Sequence, residues 1–352
     1  MILNPLRIKN IKLLNRVVIS PMCQYSSNNG NPTDWHYEHL LKLSRTGAGL
    51  MMIESTAVNK IGRITYKDLM LSNKENEENL KKLVKFIKKK SKIRIGIQIS
   101  HSGRKGSSEI PWIKSNTSLK KKPWKTVAPS PIKRYKGWPV PKELSIKEIL
   151  KIINDFKNSA IRANKANLDC LEIHMAHGYL LHQFFSKISN KRKDKYGGSL
   201  KNRSRFLLEV SKAVRNVWPK NKILGARVTG SDWMKGGIST GDTIYLIKFL
   251  KAIGFDYVCV SSGGIIPKTK LVFREGYNVK FAKQIRRKTG IITRVGGMIN
   301  NFNYANKLIK FKNVDLIANA RKFINEPNWL IKEIVKRKKN RNIVLNQYKR
   351  CF

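Results

Sequence analysis

Eight short apolar runs recur along the chain, at residues 17–22, 50–54, 95–99, 169–173, 223–228, 257–260, 291–295 and 315–318. Their apolar residues are nearly continuous rather than alternating, the pattern of parallel strands buried on both faces. The segments between them space apolar residues by three and four, as amphipathic helices do. In 144–166 these are Ile149, Leu150, Ile153, Phe156 and Ala160. The segments 75–90, 203–217, 242–253, 279–288 and 301–311 read alike, and Gly254 follows the 242–253 segment as a helix-ending glycine does.

Eight βα units in succession predict an α/β fold, a closed (β/α)8 or TIM barrel. An open doubly wound sheet is the alternative. It would need a G-x-G-x-x-G turn after the first strand, where this chain has Ser20-Pro21-Met22-Cys23. A long insertion after strand three, residues 106–127, carries Trp112 and Trp124. It reads either as a loop over the barrel mouth or as a passive surface excursion. No repeat beyond the βα unit and no separable linker is visible, so residues 1–352 are expected to form one domain.

Composition narrows the class. A barrel needs about 250 residues, so 352 residues leave room for decorated loops. No run of about 20 apolar residues predicts a membrane span. The start, Met1-Ile2-Leu3-Asn4-Pro5, lacks the basic-then-apolar order of a signal peptide, and a cytoplasmic location is expected. Cys23, Cys170, Cys259 and Cys351 form no C-x-x-C pair, which speaks against a zinc site or an iron–sulfur cluster.

The charge stands out: 72 Lys and Arg against 22 Asp and Glu, a formal +50. A nucleic-acid partner is one reading. The lysines, however, are scattered over most predicted helices, and no basic stretch alternates with aromatics as a single-strand groove would. No nucleic-acid partner is expected. A field this positive still attracts phosphorylated dinucleotides.

Barrel enzymes place their working residues at the C-terminal ends of the strands. Here nearly every strand end carries a polar, titratable or glycine position: Cys23 and Tyr25, Ser55 and Thr56, Gln98 with His101 and Lys105, His174 with His177 and Tyr179, Arg227, Ser261 to Gly264, Gly296-Gly297, and Ala320-Arg321. Loops after strands seven and eight commonly form a barrel's phosphate site. Gly296 and Gly297 let backbone N–H groups approach an anion, and Arg321 adds a bidentate cation. His174 and His177, three apart just past a strand, are placed to aim two N–H donors at one oxygen, with Tyr179 nearby as a proton donor. A metal pair is the alternative and would need further ligands such as Cys23 and His101; no metal is expected.

Several of these segments together resemble one family. Ser20 to Tyr25, Gly62-Arg63-Ile64-Thr65, Gln98 to Lys105, His174 to Tyr179, and Ser189-Asn190 through Tyr196-Gly197-Gly198-Ser199 to Arg205-Phe206 are similar to the Old Yellow Enzyme family, most closely its short bacterial branch of NADPH dehydrogenases and xenobiotic reductases. The resemblance runs from residue 1 to 352. It implies non-covalent FMN, with NADPH or NADH as electron donor and reduction of activated C=C bonds in α,β-unsaturated carbonyls, or of nitro compounds. It implies that Ser20, Pro21, Met22 and Cys23 lie against the flavin, that Thr56 and Gln98 contact its ring, that Arg227 sits near its N1–O2 side, and that Ala320 and Arg321 hold its phosphate. Tyr25, His174 and His177 would contact substrate, and Tyr179 would protonate the α-carbon. The terminal Gln347-Tyr348-Lys349-Arg350 resembles a tail whose arginine enters a neighbouring subunit's site, implying a homodimer or homotetramer. The family usually has glycine where this chain has Ala320; a positive φ there would strain alanine. An RNA-directed flavin barrel resembling a dihydrouridine synthase is the rival reading, but the eighth unit ends too near the terminus for that family's extra helical domain.

Overall fold

The computed structural model describes residues 1–267, 273–339 and 341–352. Eight parallel strands close into a ring: β1 (Val17–Ile19), β2 (Leu50–Ala57), β3 (Arg94–Ser100), β4 (Cys170–Met175), β5 (Ile223–Thr229), β6 (Tyr257–Ser261), β7 (Ile292–Val295) and β8 (Leu316–Asn319). Closure is made by β8 against β1, with Ile317 opposite Val17 and Asn319 opposite Ile19. This excludes the open doubly wound sheet. The main helices are α1 (Asp34–Ser44), α2 (Lys74–Lys90), α3 (Ile146–Lys165), α4 (Leu200–Val217), α5 (Thr240–Ile253), α6 (Val279–Thr289), α7 (Phe302–Lys310) and α8 (Trp329–Lys338).

Local sequence explains the boundaries. Ser145 and Glu148 start α3 with a reciprocal capping box, and Ser239 and Asp242 start α5 the same way. Gly254 ends α5 at φ 101°, a left-handed position that glycine adopts without a Cβ clash. On α3 the buried stripe is Ile149, Ile152, Phe156, Ala160 and Ala163. Leu150, expected on that stripe, is instead 54% exposed. It lies 100° round the helix from Ile149 and so faces away from the sheet.

Two apolar clusters hold the fold. The larger fills the space between strands and helix ring, with Val17, Ile53, Ile97, Phe156, Leu207, Leu246 and Ile285 among its members. The second lies in the lumen: Val18, Leu50, Met52, Cys170, Ile223, Tyr257, Cys259 and Leu316. A hairpin, Leu6–Ile8 paired with Ile11–Leu13, closes the N-terminal end of the lumen with Ile8, Ile11 and Leu13. Its Arg7 and Lys12 face solvent, as a period of two requires.

The insertion after β3 reaches as far as α3. It contains a short helix, Pro111–Lys114, and a small parallel ribbon, Val127–Ala128 with Lys142–Glu143. Trp112 from that helix sets its ring edge-on to Tyr25, with centroids 5.9 Å apart. The insertion therefore borders the barrel mouth.

Candidate active site

Side chains alternate along a strand, so every second residue enters the lumen. On β4 these are Cys170, Glu172 and His174. On β5 they are Ile223, Gly225 and Arg227, and on β6 Tyr257, Cys259 and Ser261. Each row begins among the lumen cluster and ends on a polar group at the C-terminal mouth. Ladder register then sets neighbours side by side: Gln98 with Glu172, and His174 with Arg227.

At the mouth, Ala176 N–H donates to His174 Nδ1 at 3.1 Å, which leaves the proton of the neutral ring on Nε2. That Nε2 lies 3.3 Å from His177 Nδ1. His177 Nε2 is 2.6 Å from Ser261 Oγ. Burial, then the positive charges of Arg227 and Lys105, hold the His174 imidazole well below its usual pKa; burial, Arg227 and His174 do the same for His177. Both rings are neutral near pH 7. Tyr179 stacks edge-on to His174, with centroids 4.6 Å apart. Burial, then Cys23, Tyr25 and Asp68, raises its phenol well above the ordinary value, so it keeps its proton.

The turn carrying these groups is tightly fixed. His177 and Gly178 are consecutive left-handed residues at φ 57° and 72°. A Cβ on Gly178 would stand 2.1 Å from the carbonyl oxygen of Gly264, so only glycine fits. Gly178 N–H donates to His182 Nδ1 at 2.8 Å, and His182 Nε2 lies 2.9 Å from Asp232 Oδ1, both side chains fully buried. Lys105 Nζ donates to the His177 carbonyl at 2.7 Å and lies 5.1 Å from the Tyr179 ring centre. Lys105 and the His182–Asp232 pair were not among the predicted site residues. Lys105 was visible just beyond a strand end, whereas nothing in sequence spacing links Asp232 to His182.

Ser20, Pro21, Met22, Cys23 and Tyr25 line the loop after β1 and are half-buried. Gln24 N–H donates to Glu54 Oε2 at 2.9 Å, which ties this loop to β2. The Cys23 thiol is pushed up, first by burial and then by Glu54 and Asp68, so it stays protonated. Thr56 is buried and donates its hydroxyl to the Glu54 carbonyl at 3.0 Å.

Several polar groups at this end have no partner among the described residues. Arg227 Nε is buried and unbonded, and neither Arg227 nor Arg321 has a carboxylate partner in the ion pairs. The backbone N–H groups of Gly296 and Gly297 donate to no described residue, and Gly297 sits at φ 127°. Unpaired cations and donors on β5, β7 and β8 suit a ligand with an anionic end and an electron-rich ring edge. FMN has both. Ala320 adopts φ −119°, so the expected strain of alanine at this position does not arise. No cluster of three or more metal-ligating side chains occurs among the described residues.

Known proteins bear on this geometry. The family profile described as NADH:flavin oxidoreductase / NADH oxidase matches residues 1–342. An NADPH dehydrogenase of Clostridium acetobutylicum is 40% identical over 350 residues, spanning 98% of this chain and 97% of its own. The chain belongs to the Old Yellow Enzyme family. It is a flavin oxidoreductase, and the family's cofactor is FMN. Among solved structures, the Old Yellow Enzyme homologue from Zymomonas mobilis superposes with a TM-score of 0.80 at 22% identity, over 96% of this chain and 93% of that one. A 2-naphthoyl-CoA reductase superposes with a TM-score of 0.86 at 23% identity, over 97% of this chain; the chain spans 53% of that protein's length. These two likenesses establish the fold.

Arg350 is not brought to this chain's own mouth. Ile343 and Leu345, just before it, line a cavity of about 640 Å³ together with Leu3 and Leu14, at the N-terminal end of the barrel. Arg350 itself is exposed.

Proposed function

We propose that this Old Yellow Enzyme relative is an ene-reductase, saturating the activated C=C bond of α,β-unsaturated carbonyls, with nitro compounds as a second substrate class, at the expense of NAD(P)H. The observation that carries the reading is the pair of neutral imidazole nitrogens 3.3 Å apart beside a protonated tyrosine. In the structure His174 Nε2–H donates to His177 Nδ1 and His177 Nε2–H to Ser261 Oγ. A bound substrate oxygen would replace the contact between the rings, with the Ser261 hydroxyl then donating to His177 Nε2 and the His177 proton on Nδ1. His174 and His177 then offer two N–H donors to one substrate oxygen, polarising the alkene and stabilising the enolate that develops. Tyr179 supplies the proton to the α-carbon, and Tyr25 borders the substrate.

Ser20, Pro21, Met22, Cys23, Thr56 and Gln98 would hold the flavin ring, Arg227 its electron-rich edge, and Gly296, Gly297, Ala320 and Arg321 its phosphate. Bound FMN would supply the hydride-transfer chemistry between NAD(P)H and the alkene. Arg350 would act in the site of a neighbouring copy within a homodimer or homotetramer; a tail anchored at the end opposite the mouth supports this. A cytoplasmic location suits the four free thiols.

The test is the visible spectrum of the purified protein, followed anaerobically with NADPH and then 2-cyclohexenone. A yellow protein that bleaches with NADPH and recovers its colour with the enone is the expected result. A protein that bleaches but never recovers with enones or nitroalkenes overturns the ene-reductase reading. In Tyr179→Phe, recovery should slow by about 10²–10⁴-fold, while bleaching by NADPH is unchanged. Equal slowing of both steps removes Tyr179 from the proton-donor role.

A further inference from the structure

Barrel interiors are ordinarily filled by layers of apolar side chains. This lumen departs from that between its apolar base and its mouth. Glu172 on β4 and Arg294 on β7 are both fully buried and form an ion pair. Their strands stand three places apart in the ring, so the pair spans the lumen. The Tyr257 hydroxyl donates to Glu172 Oε2 at 2.8 Å, and Arg294 Nη1 reaches the same hydroxyl oxygen at 3.3 Å. The other carboxylate oxygen, Oε1, accepts from Gln98 Nε2 at 2.7 Å.

This last contact decides which way the Gln98 amide points. A carboxylate only accepts, whereas an amide has one donor end and one acceptor end. Glu172 therefore takes the NH2 group and leaves Gln98 Oε1, which accepts from no described residue. Arg294 matters because a lone buried carboxyl is driven toward its neutral form. A neutral carboxyl can donate, which would let the amide turn over.

We propose that Glu172 and Arg294 are positioning residues for the flavin. They lock Gln98 with its carbonyl oxygen free, so that the site selects the imide N–H of the flavin pyrimidine ring. The proposal rests on the reading of Gln98 as a flavin contact.

The test is reconstitution of apoprotein with FMN or with N3-methyl FMN, followed by flavin fluorescence. Wild type should bind FMN and reject the N3-methylated form by tenfold or more, on the scale of one lost hydrogen bond with an oxygen left unpaired. Glu172→Met combined with Arg294→Met removes both charges, so no lone charge is left in the lumen. FMN affinity should fall about tenfold in this variant, and discrimination against N3-methyl FMN should vanish. Arg294→Lys keeps the ion pair and should keep the discrimination. A folded double variant that discriminates as wild type does overturns the proposal. If the double variant does not fold, Glu172→Gln combined with Arg294→Met gives the same readout, because its amide can donate to Gln98 and no lone charge remains. Gln98→Met separates the two layers of the reasoning. If it too discriminates like wild type, Gln98 is not a flavin contact. If it alone loses discrimination, only the role of Glu172 and Arg294 fails.

Discussion

The two ends of the barrel lumen are built from the same strands and obey different rules. At the N-terminal end, the side chains of Val18, Leu50, Ile223 and Leu316 meet a hairpin that contributes Ile8, Ile11 and Leu13, and the space is apolar and closed. On β4, β5 and β6 the rows that begin at Cys170, Ile223 and Tyr257 end four residues further along in His174, Arg227 and Ser261. There Arg227 Nε and His101 Nε2 are buried without partners among the described residues, and Tyr25, His177 and Met298 are non-glycine residues held at positive φ. One end is packed with apolar side chains; the other sets desolvated donors beside left-handed residues around a space where a ligand would supply partners. The strands bear stability at their beginnings and chemistry at their ends, and that division can be attacked from either side.

The largest effect should come from the closed end. Leu13 is fully buried against the lumen base. Leu13→Ala should cost about 2–5 kcal/mol in chemical denaturation through lost transfer energy and an unfilled cavity. FMN affinity, measured well below the unfolding midpoint, should not move. A matching loss of FMN affinity would show that the two ends are coupled and that the division is wrong.

The open end should own the acid sensitivity of the fold. Burial holds His101 at about 3 and keeps His174 and His177 well below the usual imidazole value. Folded, these rings stay neutral; unfolded, each takes a proton below about pH 6.5. The unfolded state then binds more protons, so stability is full above pH 6.5 and is lost as pH falls toward the folded values. Each ring contributes up to about 1.4 kcal/mol per pH unit in that window. His174→Asn should flatten the slope of unfolding free energy between pH 6 and pH 5 by close to one proton. No change in slope would mean that the acid sensitivity arises elsewhere.

How much of this was legible in the sequence follows from the range of each interaction. The ends of the strands could be read because inward-facing polar residues interrupt short apolar runs, so Gln98, His174, Arg227 and Ser261 announced a mouth before any geometry was known. The lumen layer beneath was hidden for the same reason. Glu172 sits two residues before His174 inside an apolar run, but its partner Arg294 lies 122 residues away. Only closure of the ring brings them together. The His182–Asp232 pair is similar, joining the short helix after β4 to the loop after β5. On α3, spacing alone did not decide whether Leu150 or Ile152 turned inward; the position of the helix on the sheet did. The role of Arg350 is illegible in one chain, because its tail leads away from its own mouth.

The smallest predicted effect sharpens the division most. Lys105 is a cation within the open end and has no carboxylate partner among the described residues. Burial, then Arg134 and Arg104, brings its pKa down to about 7. Below that pH its ammonium lies over the Tyr179 ring, donating to the His177 carbonyl. In the proposed proton transfer from Tyr179, this positive charge would stabilise the phenolate left behind. Alkene reduction should therefore be faster on the acid side of pH 7 and slow through an inflection there. The amplitude should be about tenfold or less, the scale of one cation–π contact. Lys105→Met should run at the slow level throughout and lose the inflection. The same residue leaves a mark on stability of the same sense as the histidines, in a more alkaline range. A lysine held at about 7 when folded and near 10.4 when unfolded makes the fold gain stability as pH rises from 7 toward 10. That gain should be absent in Lys105→Met. If the variant keeps the kinetic inflection but loses the gain in stability, Lys105 is a buried cation tolerated by the mouth and Tyr179 works without it. If both disappear together, the desolvated ammonium is held there for the proton transfer.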